Sequence, residues 1–472
     1  MASIIQYKQM HKFNSSILRS YDIRGVYNQT LFDKDAYYVG RSFASALNKN
    51  SQKKIAVGYD GRKSSPALKN RLIQGLLDSG IEVFEIGICP TPMLYFAVFN
   101  LDCDAGIMVT GSHNPKDHNG FKMALKDRPF YGEDITNLAK ICADEDFINA
   151  KGSLASHQII NNYIDRIMQD LVIDKDSKKL SIAWDCGNGA AGDVIKNITK
   201  KITANNILLY EDIDCNFPNH HPDPTDVKNM QDLITVVKDN NCDIGIAFDG
   251  DGDRIGIVDD EGEMIWGDQL MVFYAQDILK ENPQATIIAD VKASNILFSE
   301  IAKAGGKPIM WKTGHSLIKA KMKQENALLA GEMSGHIFFS DKYYGFDDAI
   351  YAAIRIINIL IESGKKLSDL RKSLPKTFST PEIRISCADN IKFNIIDKIK
   401  DDLDKSGLKY NDVDGIRFIK DNDWWLLRAS NTQPALVARC ESVNPENLAI
   451  LKQELVNILT KFDITIPQEL RK

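Results

Sequence analysis

At 472 residues the chain is too long for one hydrophobic core, and length alone predicts about three or four domains. It is 44% hydrophobic and 26% charged with a net charge of −6, an ordinary composition that argues against a nucleic-acid or polyanion surface. The stretch from Met1 to Met10 has no signal-peptide core and no apolar run approaches the roughly eighteen residues of a membrane span, so the expected location is the cytoplasm.

In chain order, one pattern recurs three times at long intervals. Residues 55–60, 181–185 and 286–290 are short apolar strands ending in aspartate, each followed by a helix-like segment and another strand. Each repeat then has a further apolar strand that runs into a glycine-containing polar loop. Residues 105–109 lead into Thr110-Gly-Ser-His-Asn-Pro115, 244–248 into Asp249-Gly-Asp-Gly-Asp-Arg254, and 327–330 into Gly331-Glu-Met-Ser-Gly-His336. The interval is too long for a solenoid. It predicts three similar mixed-sheet α/β domains, each aiming one polar loop at a shared centre. After Ser373-Leu-Pro-Lys376 the pattern changes to strands at 383–387, 415–419, 424–427 and 435–441, with helices near 393–403 and 445–462, which reads as an α+β domain. The expected boundaries are 1–157, 158–263, 264–375 and 376–472.

Asp249, Asp251 and Asp253 alternate with glycines between two apolar runs, so the loop is able to fold three carboxylates onto one point. At about 4 Å and an effective dielectric of 20, each pair repels by on the order of 4 kcal/mol unless a cation or protons compensate. All-oxygen ligation favours Mg²⁺ or Ca²⁺. An EF-hand needs glycine at its sixth position and glutamate at its twelfth, where this chain has Arg254 and Asp260. A solvated acidic turn is the plain alternative. Arg254 beside the acids suits a phosphate that shares both charges.

Ser112 sits on a tight turn after a buried strand, with Gly111 permitting close backbone approach. It reads either as a nucleophile, without the Gly-x-Ser-x-Gly elbow, or as a structural turn serine. A serine that accepts and returns phosphate needs a divalent ion to draw charge from the transferring oxygens, and the Asp249 loop offers a place for one. His113 is either a proton-orienting group or loop packing. Glu332 follows a strand, and one carboxylate is able to accept hydrogen bonds from two neighbouring pyranose hydroxyls; a turn acid is the alternative. Ser334 and His336 add donors. Arg428-Ala-Ser-Asn-Thr432 gathers donors suited to a dianionic phosphate, or forms a solvated turn.

Other features carry less. Eight cysteines have no C-x-x-C pair and no framework spacing, which predicts reduced core residues rather than disulfides or a zinc site. His220-His221, flanked by prolines, reads as a rigid loop. Gly187-Asn-Gly-Ala-Ala-Gly192 fits a dinucleotide fingerprint, with Glu211 and Asp212 about twenty residues on, yet no other hydride-transfer feature accompanies it. A Walker-type G-x-x-x-x-G-K-[ST] is absent from the sequence.

In that order and spacing, the loops at 110–115, 249–254, 331–336 and 428–432 resemble those of the α-D-phosphohexomutases, most closely the bacterial phosphomannomutase/phosphoglucomutase group. Tyr21-Asp-Ile-Arg-Gly25, Asn119-Gly-Phe-Lys122, Lys292 and Thr313-Gly-His315 match as well, so the similarity runs nearly end to end. The resemblance implies an isomerase with four domains around a central cleft, the first three alike and the fourth an α+β lid. It implies Mg²⁺ held by Ser112, Asp249, Asp251 and Asp253, and a phosphorylated Ser112 that hands its phosphoryl group to a hexose 1- or 6-phosphate. The bisphosphate then turns end for end and Ser112 takes back the other phosphate, with hexose 1,6-bisphosphate as primer. Arg428, Ser430, Asn431 and Thr432 are expected to clamp the phosphate that is not reacting. Tyr21, Arg24, Arg254, Lys292, Thr313, Gly314, His315, Glu332, Met333, Ser334, Gly335 and His336 are expected to bind substrate, and Lys122 and His336 are the candidates for proton transfer. Glu332 on the 3- and 4-hydroxyls, which glucose and mannose share, leaves the enzyme blind to the difference at C2. Met333 resembles the glucose/mannose group more than the glucosamine-phosphate mutases. The expected partners are small hexose phosphates, with no nucleic acid and no membrane, and the expected assembly is a monomer or small homo-oligomer. A metal-dependent phosphatase and a non-catalytic sugar-phosphate binding protein are the competing readings.

Overall fold

The computed structural model describes residues 10–48, 51–172 and 179–471; most of the N-terminal stretch inspected above for a signal peptide lies outside them. The chain divides into two compact units. One comprises Met1–Met264, Gly335–Ile337 and Phe346–Lys366, the other Ile265–Ser334, Phe338–Gly345 and Leu367–Lys472.

Four sheets organise these units. The first contains β1 (Ile23–Val26), β2 (Lys54–Tyr59), β3 (Glu82–Ile88), β4 (Ala105–Val109), β5 (His118–Leu125) and β6 (Ser153–Ser156), in the order β1-β5-β4-β2-β3-β6. The second contains β7 (Ser181–Asp185), β8 (Asn205–Leu209), β9 (Ile244–Phe248), β10 (Ile255–Asp259) and β11 (Met264–Ile265), in the order β11-β10-β9-β7-β8. The third contains β12 (Thr286–Asp290), β13 (Lys307–Trp311), β14 (Leu329–Gly331) and β15 (Ile337–Phe339), in the order β13-β12-β14-β15.

The recurrence read in the sequence is therefore topological. In each of these three sheets a β-α-β-α-β run places its third strand beside its first and its first beside its second, giving β4-β2-β3, β9-β7-β8 and β14-β12-β13. All six pairings are parallel. β4 and β9 are buried at every position, which is why they read as continuous apolar runs rather than alternating ones. Each third strand ends in the polar loop singled out above, at the carboxyl edge where open α/β sheets bind ligands. β5 and β10 then return antiparallel beside β4 and β9.

The fourth sheet contains β16 (Phe378–Ser379), β17 (Ile383–Ser386), β18 (Ile416–Lys420), β19 (Asp423–Ala429) and β20 (Ala435–Ser442), in the order β16-β20-β19-β18 with β17 also paired to β20. It is antiparallel throughout. β17 alternates, with Ile383 and Ile385 buried and Arg384 and Ser386 exposed, as a sheet with one wet face requires. Its dry face packs Leu451, Leu455 and Leu459 of the helix Pro445–Lys461, each such leucine contributing roughly 1.5–3 kcal/mol. In the first sheet the core joins Ile55, Val57, Ile107 and Val109 to Val39 and Phe43 of the helix Asp33–Asn48.

The fold class is the expected α/β one with an α+β C-terminal part. All eight cysteines are free and buried. Two local expectations change: Gly331 ends β14, which begins at Leu329, rather than opening the loop, and Arg428 and Ala429 end β19 rather than following it, because Arg428 pairs across to Val437 of β20. Among the described residues, no helix is long and apolar enough to cross a membrane.

Candidate active site

In the first unit, β4 delivers Thr110 to Pro115 to one place and β9 delivers Asp249 to Arg254 to the same place. Ser112 is 2% exposed, and its Oγ donates to Asp249 Oδ2 at 3.1 Å and lies 3.2 Å from His113 Nδ1. Two segments 137 residues apart thus meet through one hydroxyl and one carboxylate. The backbones also touch, since a Cβ on Gly250 would stand 2.5 Å from the Ser112 carbonyl oxygen. Ser112 has φ +49°, a left-handed conformation that costs a non-glycine residue about 1–3 kcal/mol and persists only where its surroundings enforce it. Here Ser112 N donates to Thr110 Oγ1 at 2.8 Å, and Thr110 Oγ1 and Gly111 N both donate to Asp60 Oδ2.

Asp249, Asp251 and Asp253 are all fully buried, and one carboxylate oxygen from each lies within 4.8 Å of the others. Asp249 Oδ1 accepts from the Asp253 and Arg254 amides, so the loop closes on its own first carboxylate. Lys122, carried in by β5, donates to Asp251 Oδ2 at 2.7 Å and to Asp253 Oδ2, and Thr91 Oγ1 donates to Asp251 Oδ2 as well. Asp251 Oδ1 accepts no hydrogen bond, while Asp253 Oδ1 lies 3.3 Å from His336 Nε2. Buried carboxylate oxygens normally have a partner, and this orphan oxygen beside two further carboxylates and a serine hydroxyl belongs to a donor set that fits a hard divalent cation.

Burial, reinforced by Asp253 and Asp251, pushes Asp249 well above the ordinary aspartate value. Burial also acts to raise Asp253, but Lys122 and His336 outweigh it and hold that carboxyl well below the ordinary value. Burial disfavours the Lys122 charge, yet Asp251, Asp253 and Asp249 hold the ammonium protonated. His113 is kept neutral by burial and then by the positive charges of Arg254, Arg24 and Lys122. His336 Nε2 lies 3.3 Å from Asp253 Oδ1 and 3.3 Å from Arg254 Nε, and residues 254 and 336 form a backbone bridge. The Gly335 carbonyl accepts from Ile255 N at 3.1 Å. Arg24 pairs with Asp22 at 2.5 Å, and Tyr21 is buried at the start of that segment.

The second unit holds the remaining residues. Glu332 is 3% exposed, and its Oε1 accepts from Gly314 N at 2.6 Å. Asp290, at the end of β12, accepts from Met333 N and from Thr313 Oγ1, both at 3.1 Å. Asp414 Oδ2 accepts from Thr313 N and from Arg428 Nε, both at 3.0 Å, tying the 313–315 turn to the end of β19. Lys292 donates to Glu382 Oε2 at 3.0 Å and lies 3.8 Å from Asp290 Oδ2. The amides of Thr432 and Gln433 point at Ser430 Oγ, which shapes the 430–433 turn, and Asn431 is half-buried within it. His315 and Ser334 are half-buried.

Sequence reasoning missed Asp60, Thr91, Asp414 and Glu382. Only Asp60 left a trace, as a strand-end aspartate recurring with Asp185 and Asp290. The others act through contacts over 90 or more residues of chain that no local pattern announces, apart from Asp414, which also reaches Arg428 only 14 residues on.

Four family descriptions match successive parts of the chain: phosphoglucomutase/phosphomannomutase alpha/beta/alpha domain I over residues 15–149, domain II over 161–262, domain III over 266–378, and the C-terminal domain over 382–458. A phosphomannomutase/phosphoglucomutase of Pseudomonas syringae pv. tomato is 43% identical over 453 residues, covering 95% of this chain and 97% of that one. The crystal structure of a phosphoglucomutase/phosphomannomutase family protein from Burkholderia thailandensis superposes with a TM-score of 0.90 at 39% identity, covering 96% of this chain and 98% of the other. N-acetylphosphoglucosamine mutase of Aspergillus fumigatus, solved in complex with GlcNAc-6P and magnesium, is alike in fold alone, with 13% identity and a TM-score of 0.61. The chain belongs to the phosphoglucomutase/phosphomannomutase family, within the bacterial group of the α-D-phosphohexomutases.

Proposed function

We propose that this protein moves a phosphoryl group between the 1 and 6 positions of mannose or glucose phosphates, by way of a phosphorylated Ser112 and a hexose 1,6-bisphosphate. The observation that carries the reading is the Ser112 hydroxyl 3.1 Å from Asp249, in a buried cluster of three aspartates where Asp251 Oδ1 accepts no hydrogen bond. Magnesium held by Ser112 Oγ, Asp249, Asp251 and Asp253 would supply a positive charge to the transferring phosphoryl oxygens. Magnesium in the A. fumigatus mutase supports that choice of ion.

Phosphoserine carries about −1.5 to −2 charges, and Arg254, Lys122 and Arg24 supply cations on the same unit. His336, beside Arg254, is the group that takes a proton from the attacking sugar hydroxyl and returns it. Lys122 is the second candidate, although its two carboxylate partners hold its proton. In the second unit Glu332 binds the sugar hydroxyls, with Met333, Ser334 and the 313–315 turn around them. Arg428, Ser430, Asn431 and Thr432 hold the non-reacting phosphate, with Lys292 adding charge. Binding that phosphate positions the other for transfer. The four domains are 1–157, 158–263, 264–375 and 376–472, the protein works in the cytoplasm as a monomer or small homo-oligomer, and hexose 1,6-bisphosphate primes it.

The test is conversion of mannose 1-phosphate to the 6-phosphate by wild type and by Ser112→Ala. The variant should lose at least about four orders of magnitude in turnover, in line with removal of a covalent nucleophile. Near-normal turnover by the variant rejects the serine, and inorganic phosphate released as fast as substrate disappears makes the protein a hydrolase instead.

A further inference from the structure

We infer that Arg62 is a positioning residue for phosphoryl transfer: its buried guanidinium holds the Ser112 turn in the strained conformation from which Oγ reaches the aspartate loop. The inference rests on Ser112 being the phosphorylated residue.

Arg62 is fully buried, and every donor it has is spent on one purpose. Nη2 donates to the carbonyls of Ser112 at 2.6 Å and Asn114 at 2.7 Å. Nη1 donates to those of Pro115 at 2.5 Å and His118 at 3.1 Å, and Nε to Asp60 Oδ2 at 3.0 Å. Four carbonyls between residues 112 and 118 therefore converge on one planar cation. Asp60 is the fixed point behind it: Oδ1 accepts from Arg62 N and Ser65 Oγ, while Oδ2 also accepts from Thr110 Oγ1 and Gly111 N. Phe217 covers the guanidinium 5.3 Å from its ring centre. Gly111 is required by this arrangement, because a Cβ there would stand 2.4 Å from Arg62 Cζ. The close approach that the glycine permits is thus to the protein's own arginine.

A rigid fork of five N–H donors is able to span four carbonyls in one plane, whereas an ammonium is a point donor with three. Without the fork, the carbonyls of Ser112, Asn114, Pro115 and His118 lose their shared donor, and the turn keeps only the bonds through Thr110, Gly111 and Asp60 against relaxation of Ser112 from φ +49°. The serine then leaves its line toward the transferring phosphorus, and a misplacement of about 1 Å is worth on the order of a hundredfold in rate. Arg62 is fully buried with all five guanidinium N–H groups engaged, leaving none for sugar or phosphate, so the loss belongs in the transfer step and not in binding.

The experiment uses full-length Arg62→Lys with mannose 1-phosphate and added glucose 1,6-bisphosphate. It records kcat, KM, the single-turnover rate of transfer from phosphorylated Ser112 to sugar, and the melting temperature. The expected result is a fall on the order of a hundredfold in kcat and in the single-turnover rate, with KM within about threefold of wild type. A folded variant with unchanged kcat, or one whose loss lies in KM alone, overturns the proposal. Should Arg62→Lys not fold, Asp60→Asn decides. It should lower kcat by about tenfold at constant KM, and an unchanged kcat overturns the positioning role. Ser112→Ala run in parallel separates the two readings. If that variant turns over normally the serine reading fails and Arg62 falls with it; if it is dead while Arg62→Lys is unimpaired, only the positioning role fails.

Discussion

Asp249, Asp251 and Asp253 are each fully buried, and Asp251 leaves one oxygen without a hydrogen bond. An unsatisfied buried acceptor costs about 1–3 kcal/mol, so a cation bound by Asp251 should stabilise the loop. Two consequences are measurable. Chelation should abolish mutase turnover and Mg²⁺ should restore it, while Asp251→Asn should raise the Mg²⁺ concentration for half-maximal rate by more than about tenfold, since a charged ligand becomes a neutral one. Binding also stabilises the folded form: Mg²⁺ at about 100 times its dissociation constant adds roughly 2.7 kcal/mol. Wild type should therefore melt higher with Mg²⁺ than with chelator, and Asp251→Asn should show little of that shift. An equal shift in the variant removes Asp251 from the ligand set.

At the scale of elements, the three β-α-β-α-β runs each close their first strand on an aspartate that accepts from functional or neighbouring loops. Asp60 takes Thr110 and Gly111, Asp185 takes Gly187 N and His220, and Asp290 takes Thr313 and Met333. Parallel strands end side by side at one sheet edge, so a carboxylate ending the first strand reaches loops leaving its neighbours. A different cap holds the helix Ala349–Ser363, which is buried over nearly its whole length. Asp348 accepts from Ile350 N and Tyr351 N and takes the Tyr163 hydroxyl on both carboxylate oxygens. Asp348→Ala removes the cap and strands a fully buried tyrosine hydroxyl. It should destabilise the first unit by about 2–4 kcal/mol in urea unfolding, and a loss under about 0.5 kcal/mol would count against the cap.

At the scale of the whole molecule, two compact units should not melt as one two-state system. Calorimetry should give two transitions, with a calorimetric enthalpy above the van't Hoff value. They should also respond differently to pH. In the first unit burial acts to lower the His220 pKa, but Asp185 outweighs it and leaves it raised, with the His221 carbonyl and the Asp232 charge adding to the effect. A raised folded value means that this contribution is fully present below pH ~6.5 and is lost as pH rises through the folded value. In the second unit burial acts to raise Glu382, yet Lys292 and then Arg384 hold it down at about 2. That contribution is present above pH ~4.5 and is lost as pH falls toward 2. His220→Asn should flatten the alkaline dependence of the first transition, and Glu382→Gln the acid dependence of the second. Unchanged pH slopes in these variants reject the assignments.

Much of this was legible locally. Alternating glycines and aspartates, apolar runs of strand length and a thrice-repeated strand-end aspartate are short-range patterns, set by backbone freedom and side-chain periodicity. They suffice for the fold class, the four loops and the family. Local pattern is silent on which groups meet. That Ser112 touches Asp249, that Lys122 occupies two of the three carboxylates, that Arg62 gathers the carbonyls of the serine turn and that Asp414 joins Thr313 to Arg428 follow only when segments far apart in the chain are brought together. Hydrogen bonds and ion pairs form over about 3 Å of space whatever the length of chain between the partners, and packing alone decides that distance.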